Sequence, residues 1–216
     1  MTRLTPNLRL ESHLWRAGLF PVAGLDEVGR GAWAGPLVAA AVVLPAGRKE
    51  LRRVLAGVRD SKQMTPRQRT TWAGRVREIA LAVGVGEADS TEVDALGPLR
   101  ATRLAMERAL HALPLQPCFL LLDFMRLPEV LLPQTSLPHG DVLALSISAA
   151  SVIAKVWRDQ GMISLEERYP GYGFARHKGY GTLAHREALG RLGPCVVHRA
   201  SFAPVAGLLS AAADSE

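Results

Sequence analysis

VAGLDEVGRGAWAGPLVAAAVVL, residues Val22 to Leu44, consists of two apolar runs separated by a glycine-rich turn. The first run, Pro21 to Asp26, is short and ends in acid. The second, Leu37 to Leu44, is rich in Ala and β-branched residues and closes at Pro45. Continuous apolar runs of this length, bounded by Gly and Pro, predict buried strands. Leu81 to Glu87, with Val and Gly in alternation, predicts a third. Cys118 to Asp123 (CFLLLD) predicts a fourth, and again the run ends on a carboxylate. Strands apolar on both faces need helices on both sides.

Those helices are readable between the strands. Thr65-Pro66-Arg67-Gln68 has the form of a capping box with Pro at the first helical position, and predicts a helix running towards Ala80. Another is expected from near Thr91. It places Leu99, Met106, Leu110 and Leu113 on one apolar face and stops at Pro114. Val142 to Arg168 contains a single glycine, Gly161, among many Ala, Ser, Ile and Val residues, which predicts a long helix packed on the sheet with Asp141 at its start. A last helix follows Thr182, and the tail from Ala206 to Glu216 is expected to fray. The pattern is that of an α/β fold. Its expected parts are an N-terminal segment (1–20), a core (21–168) and a C-terminal helical extension packed on that core (169–216).

Composition narrows the function. The 216 residues, 48% of them hydrophobic and 21% charged, are enough to bury a core without disulfides or structural metals. Cys118 and Cys195 lie far apart, outside any Cys-x-x-Cys or Cys/His pattern of the kind zinc takes, and suit a reducing compartment. Neither a signal-peptide core nor an apolar stretch of membrane-spanning length is present, so a cytoplasmic protein is expected. A formal charge of +6 favours a polyanionic partner, although charge alone also serves solubility.

Four carboxylates carry the chemical reading: Asp26 and Glu27 after the first strand, Asp123 after the fourth, and Asp141 at a helix start. Taken singly, each has an ordinary structural role in a cap, a turn or a solvated loop. Taken together, they would meet if the first and fourth strands were neighbours, because adjacent strands lie about 5 Å apart. Crowded carboxylates either raise their pKa values or bind a hard divalent cation with oxygen ligands, Mg²⁺ or Mn²⁺. Two such ions roughly 3.5 to 4 Å apart activate a water and stabilise a leaving oxygen without a Ser, Cys or His nucleophile.

Several ordered motifs identify a family. VAGLDEVGRGAWAGPLVAAAVVL closely resembles the opening signature of bacterial ribonuclease HII. RDSKQMT from Arg59, GDVLALSISAASVIAKVWRD from Gly140, YPGYGFARHKGYGT from Tyr169 and HRASFAPV from His198 follow in the family's order. The resemblance spans about Val22 to Val205. It implies a ribonuclease H-like fold, a central mixed sheet flanked by helices, and a four-carboxylate metal site at Asp26, Glu27, Asp123 and Asp141. It also implies cleavage of the RNA strand of RNA–DNA hybrids, and of DNA on the 5′ side of embedded ribonucleotides, in ribonucleotide removal.

The substrate-selecting residues follow from the same motifs. Gly29-Arg30-Gly31 is a turn whose glycines let backbone press against a nucleotide and offer N–H and C=O groups to a 2′-OH. By resemblance, Tyr180 packs against the sugar beside that hydroxyl. Lys62, in the Asp-Ser-Lys motif, is expected to contact phosphate. His177, His185 and His198 are read as structural, since a two-metal site needs no histidine base. The chain departs from the family at two places: Asp123-Phe124 stands where Asp-Gly is usual, and His139-Gly140-Asp141 where Lys-Gly-Asp is usual. A structure-specific DNA nuclease of the same fold and a noncatalytic duplex-binding protein are the alternatives, and a monomer is expected.

Overall fold

The computed structural model describes residues 5–213. In chain order the elements are α1 (Arg9–Arg16), β1 (Val22–Val28), β2 (Leu37–Val43), α2 (Leu51–Val54), a 3-10 turn (Ser61–Gln63), α3 (Pro66–Ile79), β3 (Ala82–Ala88) and α4 (Ser90–His111). They continue with β4 (Phe119–Asp123), β5 (Gln134–Leu137), α5 (Gly140–Leu143), α6 (Leu145–Arg168), α7 (Phe174–His177), α8 (Leu183–Leu192) and α9 (Ala203–Ala213). The chain divides into two compact units.

The first unit takes the chain up to Val28, then Val38–Glu87 and Arg103–Val156. It is organised by a five-stranded sheet of order β3-β2-β1-β4-β5. β1 is antiparallel to β2 and parallel to β4, and β4 is parallel to β5, which makes the sheet mixed, as expected. All residues of β2 are buried. Val38 and Val42 pack with Val76 and Ile79 of α3 and with Val152 and Ile153 of α6. Each large apolar side chain so enclosed contributes about 1.5–3 kcal/mol. α6 lies close on β1, since a Cβ at Gly24 would overlap the Ser146–Ile147 backbone.

Each of the four predicted strands is present with its ends at most two residues from the expected positions. The fifth, Gln134–Leu137, was not predicted because QTSL has no apolar alternation. Its first side chain closes the preceding loop, Gln134 accepting from the Leu127 N–H and donating to the carbonyls of Leu127 and Val130. α1 was also unpredicted. Its Glu11 is fully buried, and Oε1 accepts from both the N–H and the hydroxyl of Ser146 at the entrance to α6. Asn7 pairs with the same junction through Leu143 and Leu145.

Three helical expectations are corrected. α4 is kinked at Gly97 (φ 75°) and Pro98, which resets its helical phase. Leu99 is therefore 53% exposed while Met106 and Leu113 are buried. Asp141 does not open the long helix. It belongs to the single turn α5, separated from α6 by an extended Ala144. The tail expected to fray from Ala206 is helical as far as Ala213, in keeping with its Ala and Leu content, and residues 214–216 lie outside the described residues.

The second unit comprises Gly29–Leu37, Ala88–Thr102 and the chain from Trp157 onward. Its core gathers Ala34, Met162, Tyr172, Phe174, Leu189 and Val205. The start of α4 is fixed by a reciprocal cap: Asp89 Oδ1 accepts the Glu92 N–H, and Glu92 Oε2 accepts the Asp89 N–H. Asp94 then holds the amides of Ala200 and Ser201.

Candidate active site

β1 and β4 run side by side with Leu25 opposite Leu122, so the next residues, Asp26 and Asp123, stand level on neighbouring parallel strands. On its other edge β1 stays paired through Asp26 and Glu27, opposite Ala40 and Ala39. Both acids thus lie within the strand, which continues to Val28, two residues past its predicted end at Asp26. Asp26 is buried, and its Oδ1 accepts the Glu27 N–H at 2.8 Å. Burial holds its pKa well above the usual carboxylate range. Glu27 and Asp123 add to that shift, and a hydrogen bond from Ser151 opposes it. The Ser151 hydroxyl is in turn 3.0 Å from that of Ser61.

Asp123 Oδ1 accepts the Gly140 N–H at 2.7 Å. That bond ties the tip of β4 to the entrance of α5, which carries Asp141. Asp141 is buried, and its pKa is raised by burial and by Asp123 and Asp60, against Lys62 and His139. Lys62 answers this concentration of acid. Partial burial would lower its pKa, but Asp60, Asp141, Asp26 and Asp123 outweigh that effect and raise it. The structure thus brings the four predicted carboxylates and Lys62 into one electrostatic neighbourhood. Among the described residues, no three His, Cys, Asp or Glu side chains form a closed group ready for a metal.

Both departures from the family pattern have left-handed backbone, Phe124 at φ 57° and His139 at φ 59°. At Phe124 this is a conformation a glycine adopts without strain, which accounts for Asp-Gly as the usual pair. The Phe124 side chain is 69% exposed, so it fills no space beside Asp123.

The other predicted residues belong to the second unit. Gly29 has φ 95°, and a Cβ there would overlap the side chain of Arg158. Gly31 is exposed and nothing lies within 4 Å of where its Cβ would be. The Arg30 carbonyl accepts from Arg199. Tyr180 is half-buried, with the Arg158 guanidinium 5.4 Å from its ring centre.

Sequence reasoning missed the two arginines that organise these loops. Both are fully buried. Arg158 donates to the carbonyls of Pro36, Lys178 and Ala34. Arg199 donates to those of Gly35 and Arg30, and its pKa is pushed down to about 10, by burial first and then by Arg158. An arginine inside the small-residue run of α6 was the available signal for the first. Ser61, Ser151 and Glu11 gave none. A groove in the first unit, lined by Leu110, Pro114, Pro117, Val130 and Leu131, contains none of the predicted residues.

A mixed sheet flanked by helices, with acids on its adjacent central strands, is an α/β fold of the ribonuclease H-like class. A family model described as Ribonuclease HII matches residues 23–205. The chain is 53% identical over 203 residues to ribonuclease HII of Synechococcus sp., covering 94% of this chain and 90% of that one. It is 54% identical over 197 residues to ribonuclease HII of Thermus thermophilus, covering 91% and 93%. The crystal structure of ribonuclease H2 from Pyrococcus horikoshii superposes with a TM-score of 0.73 at 26% identity, covering 89% of this chain and 98% of that one. The chain belongs to the ribonuclease HII family. It is accordingly a ribonuclease H, a hydrolase acting on RNA–DNA hybrids. Among the described residues no helix is long and apolar enough to cross a membrane.

Proposed function

We propose that this ribonuclease H cuts on the 5′ side of ribonucleotides, in RNA–DNA hybrids and singly within duplex DNA, and leaves 3′-OH and 5′-phosphate ends. Asp26, Glu27, Asp123 and Asp141 hold divalent cations in this reading, Mg²⁺ or Mn²⁺, two in the active complex. The observation that carries it is the buried Asp26, its pKa forced up beside Glu27 and Asp123. The donors are all carboxylate oxygens, the set a hard divalent cation takes. Asp26 and Asp123 each use one oxygen on a backbone N–H, Asp26 also accepts from Ser151, and the lone pairs left on both carboxylates suit a cation. When bound, the cations supply positive charge for the attacking water and for the departing 3′ oxygen.

The chain's own residues do the rest. The hydrogen bonds to Asp26 and Asp123 fix where their remaining oxygens point. Lys62 contacts a phosphate beside the acids. Gly29-Arg30-Gly31 offers backbone to the 2′-OH and Tyr180 packs on the ribose, so a deoxyribose at that position lacks its partner. Gly31 supports this: nothing lies within 4 Å of where its Cβ would be, so no neighbour within the protein requires a glycine there. The free thiols of Cys118 and Cys195 suit the cytoplasm. The protein works as a monomer on DNA undergoing ribonucleotide removal in replication and repair.

The test is purified protein with Mg²⁺ or Mn²⁺ on three duplexes: RNA–DNA hybrid, DNA with one ribonucleotide, and DNA alone. Cleavage is expected 5′ to the ribonucleotide and in the hybrid, and should fall by at least about a hundredfold in Asp26→Asn and Asp141→Asn. Equal cutting of the all-DNA duplex, or full activity in both variants, would overturn the reading.

A further inference from the structure

Three histidines in the second unit pack together, His185 and His198 buried and His177 half-buried, and their tautomers can be assigned from their partners. His185 Nδ1 is 3.1 Å from the Tyr180 carbonyl oxygen, which only accepts, so Nδ1 carries the proton. Its Nε2 therefore accepts, and the atom 3.1 Å away is His198 Nε2, which must donate. His198 Nδ1 is then an acceptor, and the Cys195 N–H points at it from 3.0 Å. The opposite arrangement, with His198 Nδ1 donating to the Cys195 carbonyl, would set a lone pair of His185 against the Tyr180 oxygen. His177 reads the same way: Nε2 donates to the Tyr172 carbonyl at 2.8 Å, and Nδ1 accepts the Gly179 N–H at 3.2 Å.

The relay and the His177 ring stacked on it grip consecutive residues. His177 holds the Gly179 amide and His185 the Tyr180 carbonyl, while the two rings stack at 4.4 Å. The surroundings leave little freedom. The Gly179 carbonyl accepts the Trp33 N–H, Trp33 lies 5.5 Å from His185, and a Cβ at Gly181 would overlap the Trp33 ring. Phe174 closes the group edge-on against His185.

We propose that His185 is a positioning residue for Tyr180: locked as the Nδ1–H tautomer by His198, it holds the Tyr180 carbonyl and so sets the ring against the ribose. This rests on the reading of Tyr180 as the ribose-sensing side chain. The histidines touch no reacting atom. They act on one backbone carbonyl, which also accepts the Thr182 N–H at 2.8 Å, and a neutral His185–His198 pair is the form that adds the second bond.

Two variants separate the hydrogen bond from the bulk. In His185→Asn the amide nitrogen takes the place of Nδ1, and in His185→Gln that of Nε2. For the single-ribonucleotide duplex, H185Q is expected to raise KM roughly five- to tenfold, the scale of one hydrogen bond. H185N should recover most of that loss, although both variants lower Tm. Equal KM values in the two variants would overturn the proposal. Tyr180→Ala keeps the test distinct: if it leaves KM and the preference for the ribonucleotide unchanged, the reading of Tyr180 fails, whatever the histidines do. Imidazole ¹⁵N NMR of the unaltered protein near neutral pH gives a measurement independent of variants. Nδ1–H is expected on His185 and Nε2–H on His198, and the reverse tautomers would sink the relay.

Discussion

Asp123 Oδ1 and the Gly140 N–H, 17 residues apart in sequence, are joined at 2.7 Å. The bond does two things at once. It satisfies a buried amide at the entrance to α5, and it ties the β4 carboxylate to the turn bearing Asp141. Asn and Ala at position 123 separate these roles, because Asn keeps an acceptor oxygen and Ala does not. Both are expected to reduce hybrid cleavage by at least about a hundredfold. Only Asp123→Ala should also cost about 1–2 kcal/mol of stability, from the amide left without its partner. Rates and urea midpoints of the two variants check this, and equal midpoints would refute the structural role.

Asp26 should destabilise the metal-free protein. Its folded pKa lies above the ordinary value, with burial the first cause and Glu27 the second. Such a carboxyl favours folding most when protonated, and its contribution is lost as pH rises through the folded pKa. Near neutral pH in EDTA, Asp26→Asn is therefore expected to be more stable than the unaltered chain. A gain of about 1 kcal/mol would appear as roughly 2–4 °C in Tm. Saturating Mn²⁺ should reverse the order if the proposed site holds it, because only the unaltered chain has all four carboxylates of that site. Melting curves in EDTA and in Mn²⁺ decide it.

Gly29 and Gly31 look equivalent in the motif and are expected to behave differently. Gly29 has a positive φ and Arg158 packed against it, so Gly29→Ala should cost about 1–3 kcal/mol. Gly31 has open space, and Gly31→Ala should leave stability within about 0.5 kcal/mol. If backbone there meets the nucleotide, G31A still loses activity, with a KM increase of about tenfold or more on the single-ribonucleotide duplex. A G31A protein with unchanged kinetics would remove Gly31 from the substrate surface.

Which features were legible in the sequence depended on the range of the interaction that creates them. Thr65 and Gln68 were readable because a capping box is local, and both bonds form: the Gln68 N–H to Thr65 Oγ1 at 3.2 Å and the Thr65 N–H to Gln68 Oε1 at 3.0 Å. The acids of β1 and β4 were visible because each ends an apolar run. Their adjacency was not, since it depends on strand order. Glu11 meets Ser146 across 135 residues, and Arg199 meets Arg30 across 169. No pattern along the chain marks such pairs. β5 escaped notice because its place is fixed by pairing with β4, not by apolar alternation.

The histidine group gives the protein a stability slope in acid. Burial pushes the His185 pKa down to about 4, with His177 adding to the shift and the Tyr180 carbonyl opposing it, and burial also lowers His198. An unfolded chain takes up these protons near pH 6.5, where the folded state still refuses them. Between about pH 6.5 and pH 4 the unfolded state thus binds more protons, and stability must fall as pH falls. Glu11, Asp26 and Asp141, with raised values, act in the opposite direction over the carboxylate range, so the histidine effect is read as a difference between variants. His185→Gln lacks the titrating ring. It should be less stable than the unaltered chain near pH 7.5, and the gap between their urea midpoints should narrow steadily by about pH 5. A gap that stays constant over that range would mean that His185 is not held neutral, and that the bond to Tyr180 does not depend on its tautomer.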